Sequence, residues 1–96
     1  MHYVLLYEVV DDYVARRTAF RAEHLRLAKE AHARGEIVLA GALADPSDGA
    51  MFVFRGPGPE AAEAFAKADP YVHNGLVKAW RVRKWNTVVG DGASVP

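Results

Sequence analysis

Residues 20–31 read FRAEHLRLAKEA. At about 100° per residue, Phe20, His24, Leu27 and Ala31 fall on one face of a helix, and Tyr13 joins them from the preceding turns. Extended outward, the pattern predicts one long helix from Tyr13 to Arg34, started by Asp11 and Asp12 and stopped at Gly35. Arg17 lies at the edge of the apolar face, two turns before His24. Glu23, Arg26, Glu30 and Arg34 mark the outer side, with Glu30 and Arg34 at the i,i+4 spacing that favours an ion pair. Arg21, Leu25, Ala28 and His32 form a weaker side stripe facing a neighbour.

On the N-terminal side of this helix stands YVLLYEVV, residues 3–10, rich in aromatic and β-branched residues and apolar on both faces. That is the pattern of a strand covered on both sides. On the C-terminal side, IVLAGAL (37–43) and MFVF (51–54) read as two antiparallel strands joined by the turn DPSDG. Gly41 within the first of them suggests a bulge or a close approach. GPGP (56–59) then leads into a second helix, with Pro59 at its first position, Glu60 and Glu63 near its positive end, and Ala61, Phe65 and Ala68 facing inward. That helix ends at Asp69, because a residue before proline is driven out of the α region. A short turn or helix from Tyr71 to Leu76 leads through Gly75 to a last strand, KAWRVRKWNTVV (78–89).

The order β-α-β-β-α-β predicts a ferredoxin-like α+β domain: a four-stranded antiparallel sheet with two main helices on one face. Residues 1–90 form the single domain, and 91–96 are expected to be a flexible tail. The uncovered sheet face is expected to show Tyr, Phe, Val and Trp side chains. An apolar patch of that kind predicts a homodimer stacked sheet to sheet.

The 96 residues carry 12 basic and 12 acidic side chains, for a formal net charge of zero. That balance gives no electrostatic reason to expect nucleic acid or an anionic membrane as partner. Arg81 and Arg83 between Trp80 and Trp85 are too few to change it. No apolar run approaches the roughly 18 residues needed to cross a bilayer. The N-terminus has no basic lead-in of the signal-peptide kind. Cysteine is absent, so no disulfide framework, thiol nucleophile or thiolate metal site is available. A cytoplasmic protein is expected. The histidines are His2, His24, His32 and His73; none has metal-ligand spacing, and no glycine-rich phosphate loop follows a strand. Neither metal nor cofactor is expected.

One ionisable side chain stands out. An imidazole on an apolar stripe needs a hydrogen-bond partner, since a buried unpaired polar group costs about 1–3 kcal/mol. Asp69 in ADPYVHNG is the best candidate, because the chain from the second helix to Gly75 returns towards the first. A His–Asp pair fixes the tautomer and orients the ring for general acid–base work. Asp followed by Pro is also a good helix N-cap, which uses one carboxylate oxygen and leaves the other free. Arg17, Tyr71 and Asn74 are the candidates for binding an anionic or hydroxylated ligand beside the pair, Arg17 through its planar fork. Each also has an ordinary role: a solvated helix arginine, a core tyrosine, a turn asparagine.

YVLLYEV, RAEHL, EIVLAGAL, DGAMFVF and FAKADPYVHNGLVKAWRVRKWNTVVG together resemble the YCII-related domain family. They cover nearly the whole chain, and the ADPYV-x-x-GL block is the most specific part. The resemblance implies a ferredoxin-like dimer and a site that pairs the helix histidine with the aspartate of the DPY block, here His24 and Asp69. One branch of that family resembles dehydrochlorinases acting on chlorinated hydroxyquinols, a substrate nothing in these residues singles out. The first expectation is a small cofactor-independent enzyme of lyase or isomerase type, acting on a small hydroxylated or anionic cyclic metabolite. The alternatives are a non-catalytic dimeric module binding a small molecule or a protein and, by analogy of fold, a cofactor-free oxygenase.

Overall fold

A computed structural model describes residues 1–95; Pro96, the last residue of the expected tail, lies outside them. The strands are β1 (His2–Val9), β2 (Ile37–Ala42), β3 (Gly49–Arg55) and β4 (Val77–Trp85). The helices are α1 (Tyr13–Arg17), α2 (Arg21–Ala33), α3 (Glu60–Ala68) and α4 (Pro70–His73). The strands form one antiparallel sheet in the order β2-β3-β1-β4. This is the ferredoxin-like arrangement. The strand that is apolar on both faces, β1, takes a central place between β3 and β4. The end strands are the more polar β4 and the small-residue β2.

Register decides which side chains meet the helices. Tyr3, Leu5 and Tyr7 lie opposite Phe54, Phe52 and Ala50 of β3, and paired residues share a face. These six are buried, and they join Ala31, Ala62, Phe65, Ala66 and Tyr71 in one core. Burying each large side chain contributes roughly 1.5–3 kcal/mol. The aromatic residues of β1 and β3 therefore face the helices. The expectation that Tyr and Phe would stand on the uncovered face is corrected: that face carries Val4, Leu6, Met51, Val53 and Leu39, with Arg81, Arg83 and Trp85. Period-2 alternation leaves the choice of face open when both faces are apolar.

The expected single helix from Tyr13 to Arg34 is two helices, parted at residues 18–20. Phe20 leaves helical geometry (φ −117°, ψ 0°) just after the β-branched Thr18. The break lets α1 bring Tyr13 edge-on to Tyr71, with ring centroids 5.8 Å apart, while α2 lies over the sheet. At its other end α2 stops at Gly35, whose φ is +82°. Glu36 N–H donates to Ala31 O and Gly35 N–H to His32 O, both at 2.9 Å, the Schellman closure that a left-handed residue permits.

Smaller expectations also shift. Glu30 pairs with Arg26, and Arg34 with Glu36. The buried face of α3 is Ala62, Phe65 and Ala66, while Ala68 is exposed; the helix is turned by one position. Gly41 pairs regularly with Met51 and has no atom within 4 Å of where a Cβ would stand. The bulge of β2 falls between Ile37 and Leu39 instead. After β4 the chain folds back: the backbone N–H groups of Ser94 and Val95 donate to Thr87 Oγ1 and O, each at 3.0 Å. Among the described residues no helix is long and apolar enough to cross a membrane.

Candidate functional site

The site is assembled at the joint between α3 and α4. Pro70 forces Asp69 into extended geometry (φ −71°, ψ 124°) between the two helices. Its side chain thereby leaves both helix surfaces and is fully buried. Tyr71 N–H donates to Oδ1 at 3.0 Å, so the N-cap role is real. Tyr7 Oη–H, arriving from the middle of β1, donates to Oδ2 at 2.7 Å. His24 Nδ1 lies 2.9 Å from both carboxylate oxygens. The expected contact is therefore present, alongside the cap.

A carboxylate taken out of water is tolerated only when it is hydrogen-bonded. Here the donors are a phenol, a backbone amide and an imidazole. With Nδ1–H turned to the carboxylate, the neutral ring has its lone pair on Nε2. Among the described residues Nε2 has no hydrogen-bond partner. The His24 ring is stacked on Tyr71, centroids 3.9 Å apart and planes 6° from parallel, with Phe52 and Phe65 edge-on at 6.0 Å. Packing thus fixes the ring while its side chain stays 12% exposed.

His24 lines a cavity of about 200 Å³ between α2 and strands β2 and β3. Its walls are Arg21, Leu25 and Ala28 of α2, residues 40–42 of β2, Ala50 and Phe52 of β3, and Tyr13 and Tyr71. The cavity exists because Ala28, Ala40, Ala42 and Ala50 are too short to meet across it. A larger cleft of about 390 Å³ lies at Leu6, Glu8, Leu43, Asp48, Ala79 and Arg81. Tyr7 is also on its wall, but His24 is not, so the smaller cavity that His24 lines is the candidate site.

Burial, reinforced by the Asp69 carboxylate that its hydroxyl touches, drives the Tyr7 phenol far above its ordinary range. Tyr7 is accordingly a permanent donor at any physiological pH. Burial also raises Tyr71, helped by Tyr13 and Asp69 and opposed by Arg21 and Arg17.

Of the residues expected at the site, His24, Asp69 and Tyr71 are together. Arg17 and Asn74 are not on the cavity wall. The Arg17 guanidinium lies over the Tyr13 ring, 5.2 Å from its centroid, because the break at residues 18–20 swings α1 away. Asn74 closes α4: its side chain donates to Pro70 O at 2.8 Å and its carbonyl accepts from Arg16. The sequence reading missed Tyr7 and Arg21. For Tyr7 the available signal was a hydroxyl on an otherwise apolar strand. For Arg21 it was the side stripe shared with Leu25 and Ala28. Among the described residues no group of three or more His, Asp or Glu side chains is placed to hold a metal ion.

Comparison with solved structures gives the same fold. The 5-chloro-2-hydroxyhydroquinone dehydrochlorinase TftG of Burkholderia phenoliruptrix, solved in complex with 2,5-dihydroxybenzoquinone, superposes with a TM-score of 0.76 at 18% identity, covering 92% of this chain and 96% of that one. A NIPSNAP family protein of Agrobacterium tumefaciens gives 0.58 at 8% identity, covering 99% and 97%. An antibiotic biosynthesis monooxygenase gives 0.53 at 13% identity, covering 93% and 100%. At such identities the likeness concerns the fold. No curated protein matches the chain by sequence. The model of the YCII-related domain matches residues 1–86; this chain belongs to the YCII-related domain family.

Proposed function

We propose that this cavity is the active site of a small cofactor-independent enzyme of lyase or isomerase type. One observation carries the reading: an imidazole held through Nδ1 by a fully buried carboxylate, with Nε2 unpartnered, in a ring that lines a cavity of about 200 Å³. In this reading His24 Nε2 removes a proton from the substrate and returns it at another position, or to a leaving group. Asp69 holds the ring in the tautomer that leaves Nε2 basic, and Tyr7 and the Tyr71 amide hold Asp69. The substrate is a small cyclic metabolite carrying hydroxyl groups or a negative charge. The likeness to TftG, which is a dehydrochlorinase and was solved with a dihydroxybenzoquinone, supports starting the search among hydroxylated rings and quinones.

We further propose a homodimer with the uncovered sheet faces stacked. Leu39 is 73% exposed there, beside Val53 and Val4. Sedimentation that shows a monomer at every concentration would remove the dimer.

The test is turnover across a panel of hydroxyquinols and quinones that includes 2,5-dihydroxybenzoquinone. His24→Gln keeps a donor towards Asp69 and loses the base. It is expected to lower turnover by roughly 10²–10⁴-fold with the melting temperature nearly unchanged. Unaltered turnover in that variant would exclude His24 as the acid–base group. Saturable binding without turnover across the panel would favour the second reading, a dimeric binding module on the same cavity.

A further inference from the structure

Besides His24 Nε2, a buried polar atom on another residue of that cavity wall lacks a partner. Among the described residues, Tyr71 Oη is the buried side-chain polar atom that has no hydrogen-bond partner. Tyr71 is only 1% exposed, and its ring is pinned against His24. An unsatisfied buried hydroxyl costs about 1–3 kcal/mol, yet the ring's packing role would be filled as well by phenylalanine. The hydroxyl therefore contributes nothing to the fold that the ring alone would not, and it lacks an acceptor among the described residues.

A second feature stands on the same wall. Arg21 lines the cavity and joins no ion pair among the described residues. It is the first residue of α2, where the helix dipole disfavours a cation. Three residues later comes His24, so both side chains leave the helix on the same side. The charges of Arg21 and, less strongly, Arg17 are felt at the Tyr71 phenol, and of the two only Arg21 lines the cavity. No carboxylate opposes it, since Asp69 is absent from the cavity wall and spends its oxygens on Tyr7, His24 and the Tyr71 amide. The polar wall thus combines a guanidinium, an orphan hydroxyl donor and the imidazole. The remainder is Tyr13, Leu25, Phe52 and small side chains.

We infer that the Tyr71 hydroxyl and the Arg21 guanidinium form an anion subsite in this cavity, which selects a small ring bearing an ionised oxygen, a carboxylate or a phenolate. The orphan hydroxyl gains its missing acceptor from that oxygen, and Arg21 supplies charge complementarity and the geometry of a carboxylate fork. The ring occupies the apolar part of the cavity. The inference rests on the cavity being the ligand site, as proposed above. Its test reads binding rather than turnover, so the two readings fail separately.

The probes are benzoate and its neutral isostere benzamide, titrated against the full chain by amide-resolved NMR, followed by 4-nitrophenol, which is yellow only as the phenolate. The chain is expected to bind benzoate at least tenfold more tightly than benzamide, with shifts at Arg21, His24 and Tyr71, and to bind 4-nitrophenol as the phenolate. Arg21→Gln is expected to erase the preference for benzoate while leaving benzamide binding within about twofold. Tyr71→Phe is expected to weaken benzoate at least tenfold and to leave the empty protein as stable as before or more so. That pairing separates a binding hydroxyl from a structural one, because a structural hydroxyl would lower the melting temperature on removal. Equal or undetectable binding of benzoate and benzamide overturns the inference. So does a preference that survives Arg21→Gln, or a Tyr71→Phe chain that melts lower and binds benzoate unchanged.

Discussion

Along β3 the same sheet face passes from Phe54 to Phe52 to Ala50, and the space above it changes with the side chains. Near Phe54 the face is filled. Phe65 of α3 lies 5.9 Å from Phe54 and 5.1 Å from Phe52 between ring centroids, and Ala62 and Ala66 close the rest. Near Ala50 the face is open. Leu25 and Ala28 of α2 look across about 200 Å³ towards residues 40–42. One region spends large residues on cohesion; the other withholds volume and leaves room for a ligand. His24 and Asp69 lie at the boundary, where the packed side holds them and the His24 ring lines the open side. A site of this kind needs few polar residues, because the neighbouring core provides its rigidity.

The boundary is broken most severely at Asp69. Asp69→Ala leaves the Tyr7 hydroxyl, His24 Nδ1–H and the Tyr71 amide without their acceptor. The expected loss is about 3–5 kcal/mol, the range for removing one member of a buried charged network. For a chain of 96 residues that is a large share of the total, since domains carry roughly 0.05–0.15 kcal/mol per residue. Urea denaturation measures it. A loss under about 1 kcal/mol would mean that the carboxylate is not the keystone of the packed side.

Tyr7→Phe is a milder cut at the same junction. It removes one hydrogen bond to a charged group, expected to cost about 1.5–3 kcal/mol at neutral pH. Its pH dependence sharpens the assignment. Burial first, and the Asp69 carboxylate second, raise the Tyr7 phenol far above its unfolded value, which lies near about 10. Below that pH both states keep the proton and the stabilisation is whole. Above it the unfolded chain releases the proton while the folded chain retains it, so stability falls as pH rises. The phenylalanine variant lacks this term. The advantage of the native chain over Tyr7→Phe should therefore shrink above about pH 10. A gap that stays constant through the alkaline limb of the denaturation series would contradict the buried, neutral phenol.

How far the sequence carried the reading follows from the same contrast. The packed region was legible because its signals are local and redundant: a strand apolar on both faces, a turn in DPSDG, a proline after Asp69. The His24–Asp69 contact was legible too, since an inward imidazole demands a partner and Asp-Pro supplies one at a helix joint. Tyr7 was not, because a tyrosine among valines and leucines reads as a hydrophobe. Its hydroxyl acquires meaning only from a residue 62 positions away. Arg17 is off the wall of this cavity through phase. One continuous helix puts it near the face of His24, whereas the break at residues 18–20 leaves that place to Arg21. Of the two roles open to Asn74, ligand contact and turn asparagine, the structure shows the second at the end of α4. The cavity itself was hidden, since Ala40, Gly41, Ala42 and Ala50 look like weak strand formers until α2 is placed above them.

Ala42→Leu tests the open region with the smallest expected effect on stability. Ala42 lies opposite Ala50 on the helix side of edge strand β2, and residue 42 is part of the cavity wall. A longer side chain there meets Leu25, Ala28 and Phe52, apolar groups that already face empty space. Filling a void adds favourable contacts, whereas overpacking a full core costs about 1–3 kcal/mol. The change in folding free energy is therefore expected to stay within about 1 kcal/mol of zero and to lean towards stabilisation. Binding of benzoate is expected to fall at least tenfold, because the ring and the isobutyl group compete for one space. The contrast with Asp69→Ala is then complete: one substitution removes cohesion, the other removes room. An A42L chain that folds normally and binds with native affinity would move the ligand out of this cavity, and the cleft beside Leu6, Leu43 and Arg81 would become the place to look.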